Sequence, residues 1–534
     1  MPTLFFSARP PAISRSEVLF LPEDLDKTSV DTPQTGEDAI SLTARATSGF
    51  FWTVGQTLGS KVTSLLGQII LARLLLPRDF GLVALSIIAV SFASVIRQTG
   101  IQQILVQRHK NFRRWANPAF WLELTAGMAT ALLLAAASPI AGLVFHNQAL
   151  IGLILVSAAA APLSAWLVIP TARLMIDMRF KAIAAVNIGS NFLLTAMSVF
   201  LAWRGFGAYS FILPIPVAGA IRAFWLWRLA KPRINFNPQF RRWKFLVGDS
   251  GYMIATGFLI SVMYQTGYLA LGLLYPKAAV GQFFFALNLS TQVGQLLSQN
   301  LGGVLLPALS KLQDNSARHA AALMRALRML AFISTPLCLL LAAVAKPLVV
   351  VVYGSKWLPA VPVLEIMALA AAISIPSSPA TAAIQSQGRF GLLFRWTAIQ
   401  TPLFIAAVFA GAWCGGGVGT AVAWLLFTLV TSPINIKLGV RDSTSWHQIV
   451  GIYAGPLAGS LAAVVAMGAL YLLWPALGQH LVIWGVIATA VMALIYPIPA
   501  RMFTPAEFAM AKGYAATAQG RIRYKLHAGP PTNQ

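Results

Sequence analysis

Leu71–Ser86 reads LARLLLPRDFGLVALS, and Leu271–Ala286 reads LGLLYPKAAVGQFFFA. Each stretch is the end of one apolar segment, a hairpin containing proline, a glycine, and the start of the next apolar segment. Pro77 matches Pro276 and Gly81 matches Gly281, a shift of about 200 residues and six segments, in the manner of parallel transporter repeats. Because six is even, both copies enter the membrane the same way. Chance likeness of two apolar hairpins is the competing explanation. A true repeat predicts two facing six-helix lobes around a central cavity near the midplane, with rocking of the lobes giving alternating access.

Outward from these hairpins the chain reads as about fourteen apolar segments of membrane-spanning length, the first over 50–74 and the last over 480–499. Hydrophobic residues make up 57% of the 534 and charged residues 10%. A soluble chain carries about 25% charged residues, so a soluble domain is excluded. No connection between segments is long enough to hold a soluble catalytic domain. The expected architecture is an all-α polytopic membrane protein. Residues 1–45 form a disordered cytoplasmic tail, 46–230 an N-lobe, 231–440 a C-lobe, 441–500 two further helices outside the repeat, and 501–534 a cytoplasmic tail.

The net charge of +24 invites a nucleic-acid reading, but its distribution argues against one. Seven of the fifteen acidic residues lie in the N-terminal tail, and the basic excess is strung along alternate loops. The loop after the second segment carries Arg108, Lys110, Arg113 and Arg114; the loop after the sixth carries Lys231, Arg233, Arg241, Arg242 and Lys244. Odd-numbered exits are sparse, as at Cys414–Gly417 and Trp474–Gly478. The positive-inside rule then puts both termini in the cytoplasm of a bacterial inner membrane.

Several chemistries find no footing. Cys338 and Cys414 lie far apart in apolar segments and read as small core residues. The six histidines show no metal-ligand spacing, so no metal and no cofactor are expected. There is no phosphate-binding G-x-x-x-x-G-K-[ST] loop. Paired carboxylates on an external loop, expected of a membrane glycosyltransferase, are missing too, so the chain does not read as an enzyme.

Polar groups within the segments are the candidates for substrate contact, because intramembrane charge is costly and faces a cavity or a partner. Lys61 lies near the middle of the first segment, flanking a stripe of Gln56, Ser60, Ser64 and Gln68 at i+4 spacing. Snorkelling to the cytoplasmic face is its alternative role. Arg97 lies late in the second segment, where an end anchor is equally consistent. The eighth segment carries Asn288, Gln292, Gln295 and Gln299 on one helical face, directed at protein or water rather than lipid. Helix–helix hydrogen bonding is the alternative there. Asp249 opens the seventh segment, with pairing to a loop arginine as its alternative. Arg222 reads as a cytoplasmic-end anchor. Cations outnumber acids in the first-lobe segments, which favours an anionic group such as a phosphate or pyrophosphate.

Five stretches, in order, resemble the polysaccharide transporter (oligosaccharide flippase) family of the multidrug/oligosaccharidyl-lipid/polysaccharide superfamily. They are ARLLLPRDFG (Ala72–Gly81), TGIQQILVQR (Thr99–Arg108), MRFKA (Met178–Ala182), LPALSKLQD (Leu306–Asp314) and YGSKWLPAVPVL (Tyr353–Leu364), followed by a G-R turn at Gln387–Arg389. The resemblance implies two lobes in a V. It also implies translocation of a polyprenyl-pyrophosphate-linked oligosaccharide for exopolysaccharide, capsule or O-antigen assembly, alongside a polymerase and other assembly proteins. A cation-coupled drug exporter of the same superfamily is the alternative transporter, and Glu123 would be its only deep acid in the first lobe. A membrane glycosyltransferase or ligase is the third reading.

Overall fold

The computed structural model describes residues 36–95, 101–107, 111–232, 234–235, 238–240, 243, 251–310, 312, 315–441, 444–474 and 481–503. Arg97, Asp249 and most of both expected tails lie outside the described residues. Every regular element among those described is helical. The first half contains α1 (Gly36–Leu74), α2 (Pro77–Ser94), α3 (Ile101–Gln107), α4 (Phe112–Val144), α5 (Ala149–Ala160), α6 (Leu163–Ile176), α7 (Phe180–Trp203), α8 (Tyr209–Ile212) and α9 (Pro214–Ala230). The second half begins with α10 (Gly251–Leu274), α11 (Lys277–Ser310), α12 (Ser316–Ala343) and α13 (Ala345–Leu348). A π-turn (Val349–Tyr353) and a 3-10 segment (Ser355–Ala360) lead into α14 (Val361–Ser377), α15 (Pro379–Ser386) and α16 (Phe390–Val440). Then come α17 (Trp446–Leu473), α18 (Leu481–Ile495) and α19 (Pro497–Phe503).

Local chemistry fixes the ends. Pro77 occupies the first turn of α2, where a missing N–H costs nothing. The Leu76 N–H donates to the Asp79 carboxylate at 3.0 Å, so a carboxylate also sits against the positive end of the helix. Asn315 caps α12 by accepting from the Arg318 N–H at 3.0 Å, and Ser445 caps α17.

Eleven helices among the described residues are long and apolar enough to cross a membrane. The expectation of about fourteen segments exceeds this by three, for two reasons. First, α16 counts once although its two legs correspond to the two segments drawn at 391–413 and 417–437. It is broken by non-helical Gly415 and by Gly416 at φ +56°, a conformation that side-chain-bearing residues resist. Beyond that break the legs touch backbone to backbone. A Cβ on Gly411 would lie 2.4 Å from the Gly419 carbonyl oxygen, and one on Gly419 2.0 Å from that of Gly411. Second, α1 and α11 fall short in apolarity because they carry the polar groups described below. Exposed Trp203, Trp413 and Trp474 end α7, the first leg of α16 and α17, placing aromatic rings at helix exits as membrane interfaces favour. Cys338 is buried, but Cys414 is exposed beside the Gly415 break. The expectation of two core cysteines is corrected at Cys414, because its place at the hairpin tip leaves the side chain exposed.

The two quoted hairpins meet each other. A Cβ on Gly81 would lie 1.9 Å from the Lys277 carbonyl oxygen, and one on Gly281 1.8 Å from that of Pro77. The contact is reciprocal, as expected of related surfaces about a two-fold axis. A second pair of contacts repeats at nearly the same shift. Arg179, in the turn before α7, donates to the Leu229 carbonyl at 3.0 Å. Arg389, in the turn before α16, donates to the Leu438 carbonyl at 3.1 Å. Each arginine follows a residue with positive φ, Met178 or Gly388, and each neutralises the carbonyl end of a helix.

Around the glycine crossing lies the largest buried cluster, drawn from both halves. Trp357 is its plug. Its indole stacks on Phe285 at 4.3 Å and meets Phe80 edge-on at 4.8 Å, while Nε1 donates to the Ala72 carbonyl at 2.9 Å. Lys356 Nζ donates to the carbonyls of Arg73 (2.7 Å) and Leu75 (2.6 Å), and Arg73 Nε donates to the Val352 carbonyl at 2.8 Å. The last turn of α1 is therefore capped by side chains of the other half, in keeping with the affinity of cations for helix C-termini.

Two outcomes follow from this packing. G81A and G281A each force a methyl against backbone that has no room to yield. Each lowers stability by about 1–3 kcal/mol, seen as a lower unfolding temperature of the purified protein. W357A costs about 3–5 kcal/mol through lost ring packing, whereas W357F keeps an aromatic ring, loses the indole donor and part of the ring area, and costs about 1–3 kcal/mol.

Candidate substrate site

Lys61 lies within α1, on the helix face turned toward α11. Its ammonium donates to Gln292 Oε1 at 2.9 Å and to Gln295 Oε1 at 2.5 Å. Gln292 and Gln295 are three residues apart on α11, so one helical face presents both amides to one cation. The three side chains are half-buried and join the two halves of the chain. Both partners of the ammonium are neutral, so its charge is solvated here but not cancelled. An anion entering between α1 and α11 would gain more from this cation than the amides do, because hydrogen bonds between ionised partners are the stronger class.

The other expected groups are distributed differently. Asn288 donates to the Phe284 carbonyl of its own helix at 2.8 Å. Arg97, Asp249 and the Gln299 side chain fall outside the described residues. Gln56 and Ser60 line a cavity in the first half, about 100–140° round α1 from Lys61. There α1 packs on α7, with Asn191 Nδ2 donating to the Ser60 carbonyl at 3.1 Å.

Between α1, α7 and α9 is a cavity of about 400 Å³ lined by Gln56, Ser60, Asn187, Ser190, Asn191 and Arg222, among others. Arg222 Nε is buried there without a hydrogen-bond partner, as is Asn187 Oδ1. The sequence reading placed Arg222 at a cytoplasmic helix end; the structure turns it inward instead. Nearness to a helix end says how far a side chain can snorkel, but not which face it leaves from. Two signals were present in the sequence. Asn187, Ser190 and Asn191 recur at helical spacing on α7, and Ala218 and Gly219 open space one turn before Arg222 on α9.

The second half has its own polar cavity, of about 230 Å³, among α10, α14 and the two legs of α16. Ser377, Thr397, Gln400, Thr428, Ser432 and Asn435 line it, and no charged residue does. A polar link also crosses between the halves, where Gln265 of α10 donates to Ser91 Oγ of α2 at 2.9 Å.

Comparison with known proteins places these features. The family described as "Polysaccharide biosynthesis protein" matches residues 70–362, more than half of the chain. The succinoglycan biosynthesis transport protein ExoT of Rhizobium meliloti (strain 1021) is 25% identical over 454 residues, covering 84% of this chain and 91% of that protein. The lipopolysaccharide biosynthesis protein WzxC of Escherichia coli (strain K12) is 23% identical over 451 residues, covering 81% and 88%. Among solved structures, the lipid II flippase MurJ in an inward closed conformation superposes with a TM-score of 0.67 at 14% identity. That match covers 85% of this chain and 98% of MurJ, and it shows a shared fold. The all-helical membrane architecture and the family match agree, and this chain belongs to the polysaccharide biosynthesis protein family.

Proposed function

We propose that this protein is a flippase. It carries polyprenyl-pyrophosphate-linked oligosaccharide repeat units across the bacterial cytoplasmic membrane by alternating access, for exopolysaccharide, capsule or O-antigen assembly. The observation that carries the reading is Lys61, an intramembrane cation held between the halves by two neutral amides. Family membership and the named transport function of ExoT support it.

The proposed cycle needs no covalent chemistry. Pyrophosphate oxygens take Lys61 from Gln292 and Gln295, and the released amides turn to the sugar hydroxyls. Arg97 supplies a second cation; Gln299 and Asn288 extend the amide row. Asp249, at the start of the seventh segment, orients loop arginines near the mouth. The polyprenyl chain stays in lipid between two six-helix lobes, 46–230 and 231–440. The partners are the lipid-linked substrate, the bilayer and, downstream, a polymerase and other assembly proteins.

With both termini in the cytoplasm, α1 finishes at the outer face. The Trp357, Lys356 and Arg73 contacts then form the outer gate, which must part for the head group to leave.

A deletion strain accumulates polyprenyl-linked repeat units on the cytoplasmic leaflet and exports no polymer, and wild type restores export. K61A at normal protein level lowers export by roughly one to two orders of magnitude, the equivalent of a charged hydrogen bond worth about 1.5–3 kcal/mol. K61R retains more export than K61A. Unchanged export with altered drug tolerance would replace the flippase with the drug exporter.

A further inference from the structure

We propose that the cavity between α1, α7 and α9 is a second anion site. In this assignment Arg222 holds a phosphate group that also carries a hydroxyl donor. The site is separate from Lys61, and the inference does not depend on the transported substrate.

Three observations lead there. First, the cavity contains a cation with unused hydrogen-bonding capacity. Arg222 Nε is buried and unpartnered, and no carboxylate lines the cavity. A guanidinium is never deprotonated in a protein, so this charge stays within the membrane region at a cost that a bound anion offsets. Second, the surrounding groups suit a tetrahedral oxyanion. Amides of Gln56, Asn187 and Asn191 and the hydroxyl of Ser60 offer donors from α1 and α7, facing the planar fork of Arg222 on α9, while the Ser190 hydroxyl donates to the Val186 carbonyl at 2.7 Å. Buried Asn187 Oδ1 also lacks a partner, and it needs a donor. A carboxylate or a chloride has none to give. Hydrogen phosphate has one, and so does the glycerol phosphate of a lipid headgroup. Third, the fold does not require the charge. The second-half cavity, on helices of the same rank in the chain, draws its polar lining from Ser, Thr, Gln, Asn and Tyr, with no charged side chain among the described residues. A cavity of about 400 Å³ lies within the range of small-molecule sites.

The position gives the site a consequence. Gln56 and Ser60 face Arg222, while Lys61 faces α11, so α1 is the wall between the two sites. An anion on Arg222 braces α1 from behind while Lys61 engages its partners in front.

The test uses purified full-length protein in phosphatidylcholine nanodiscs. One arm adds inorganic phosphate, and the other replaces part of the lipid with phosphatidylglycerol. The expected result is a rise in unfolding temperature with at least one probe. R222Q loses at least half of that rise, R222K keeps more of it than R222Q, and K61Q keeps all of it. A response to inorganic phosphate assigns the site to a free anion; a response to phosphatidylglycerol alone assigns it to a lipid headgroup. No response to either probe, an unchanged response in R222Q, or its loss in K61Q overturns the proposal. A density map of the wild type with both probes present needs no variant. Density bridging Arg222 and Asn187 supports the site, and an empty cavity overturns it. Because no transport is measured, failure here leaves the flippase reading standing, and failure of K61A to impair export leaves this one standing.

Discussion

Where α2 crosses α11, two backbones approach to a distance at which neither chain has space for a single methyl group. Gly81 and Gly281 occupy that crossing, each against a carbonyl of the other helix. Lipid supplies no hydrophobic drive between helices, so close backbone packing is what holds such helices together. The first turns of α2 and α11 are thereby fixed against each other. The ends of α1 and α10 follow, because each leads into its crossing helix through a short hairpin. Trp357 and the large mixed cluster then fill the space around a joint that the glycines have defined.

The polar groups obey the complementary constraint. In hydrocarbon a cation must find protein or water, and this chain places its two best-defined intramembrane cations differently. Lys61 bridges the halves and is satisfied by neutral amides; Arg222 sits inside one half with its Nε unsatisfied. A group that can exchange partners suits a moving substrate. A buried group left unpaired inside one half suits a ligand that stays. Lys61 is on α1 and Arg222 lines a cavity against it; α1's own polar residues, Gln56, Ser60, Lys61, Ser64 and Gln68, make it too polar to count as a membrane span on composition alone.

Much of the fold was legible in the letters. Apolar segment length and the paired hairpins act through neighbours in sequence, and the helices follow them. The Met178–Arg179 and Gly388–Arg389 turns belong to stretches already singled out, and each arginine reaches the last carbonyls of a helix about fifty residues on. The site was legible in part. Lys61, Gln292 and Gln295 were chosen separately as polar groups in costly places and prove to be in contact. Gln56 and Ser60, in the stripe that Lys61 flanks, line the first-half cavity instead of joining Lys61 at α11. Spacing on one helix fixes relative angles but not which neighbour each angle meets.

The sequence by itself therefore determined the membrane class, the apolar segments, the two proline hairpins and the identity of the costly polar groups. These depend on transfer energies and backbone preferences that each residue carries wherever it goes. Only the tertiary structure decided that Gly81 faces Gly281, that Lys61 reaches across to α11, and that Arg222 turns into a cavity rather than toward a membrane surface. Those outcomes join residues tens to hundreds of positions apart. They are set by which helix faces dock, a choice made by the packing of the whole chain.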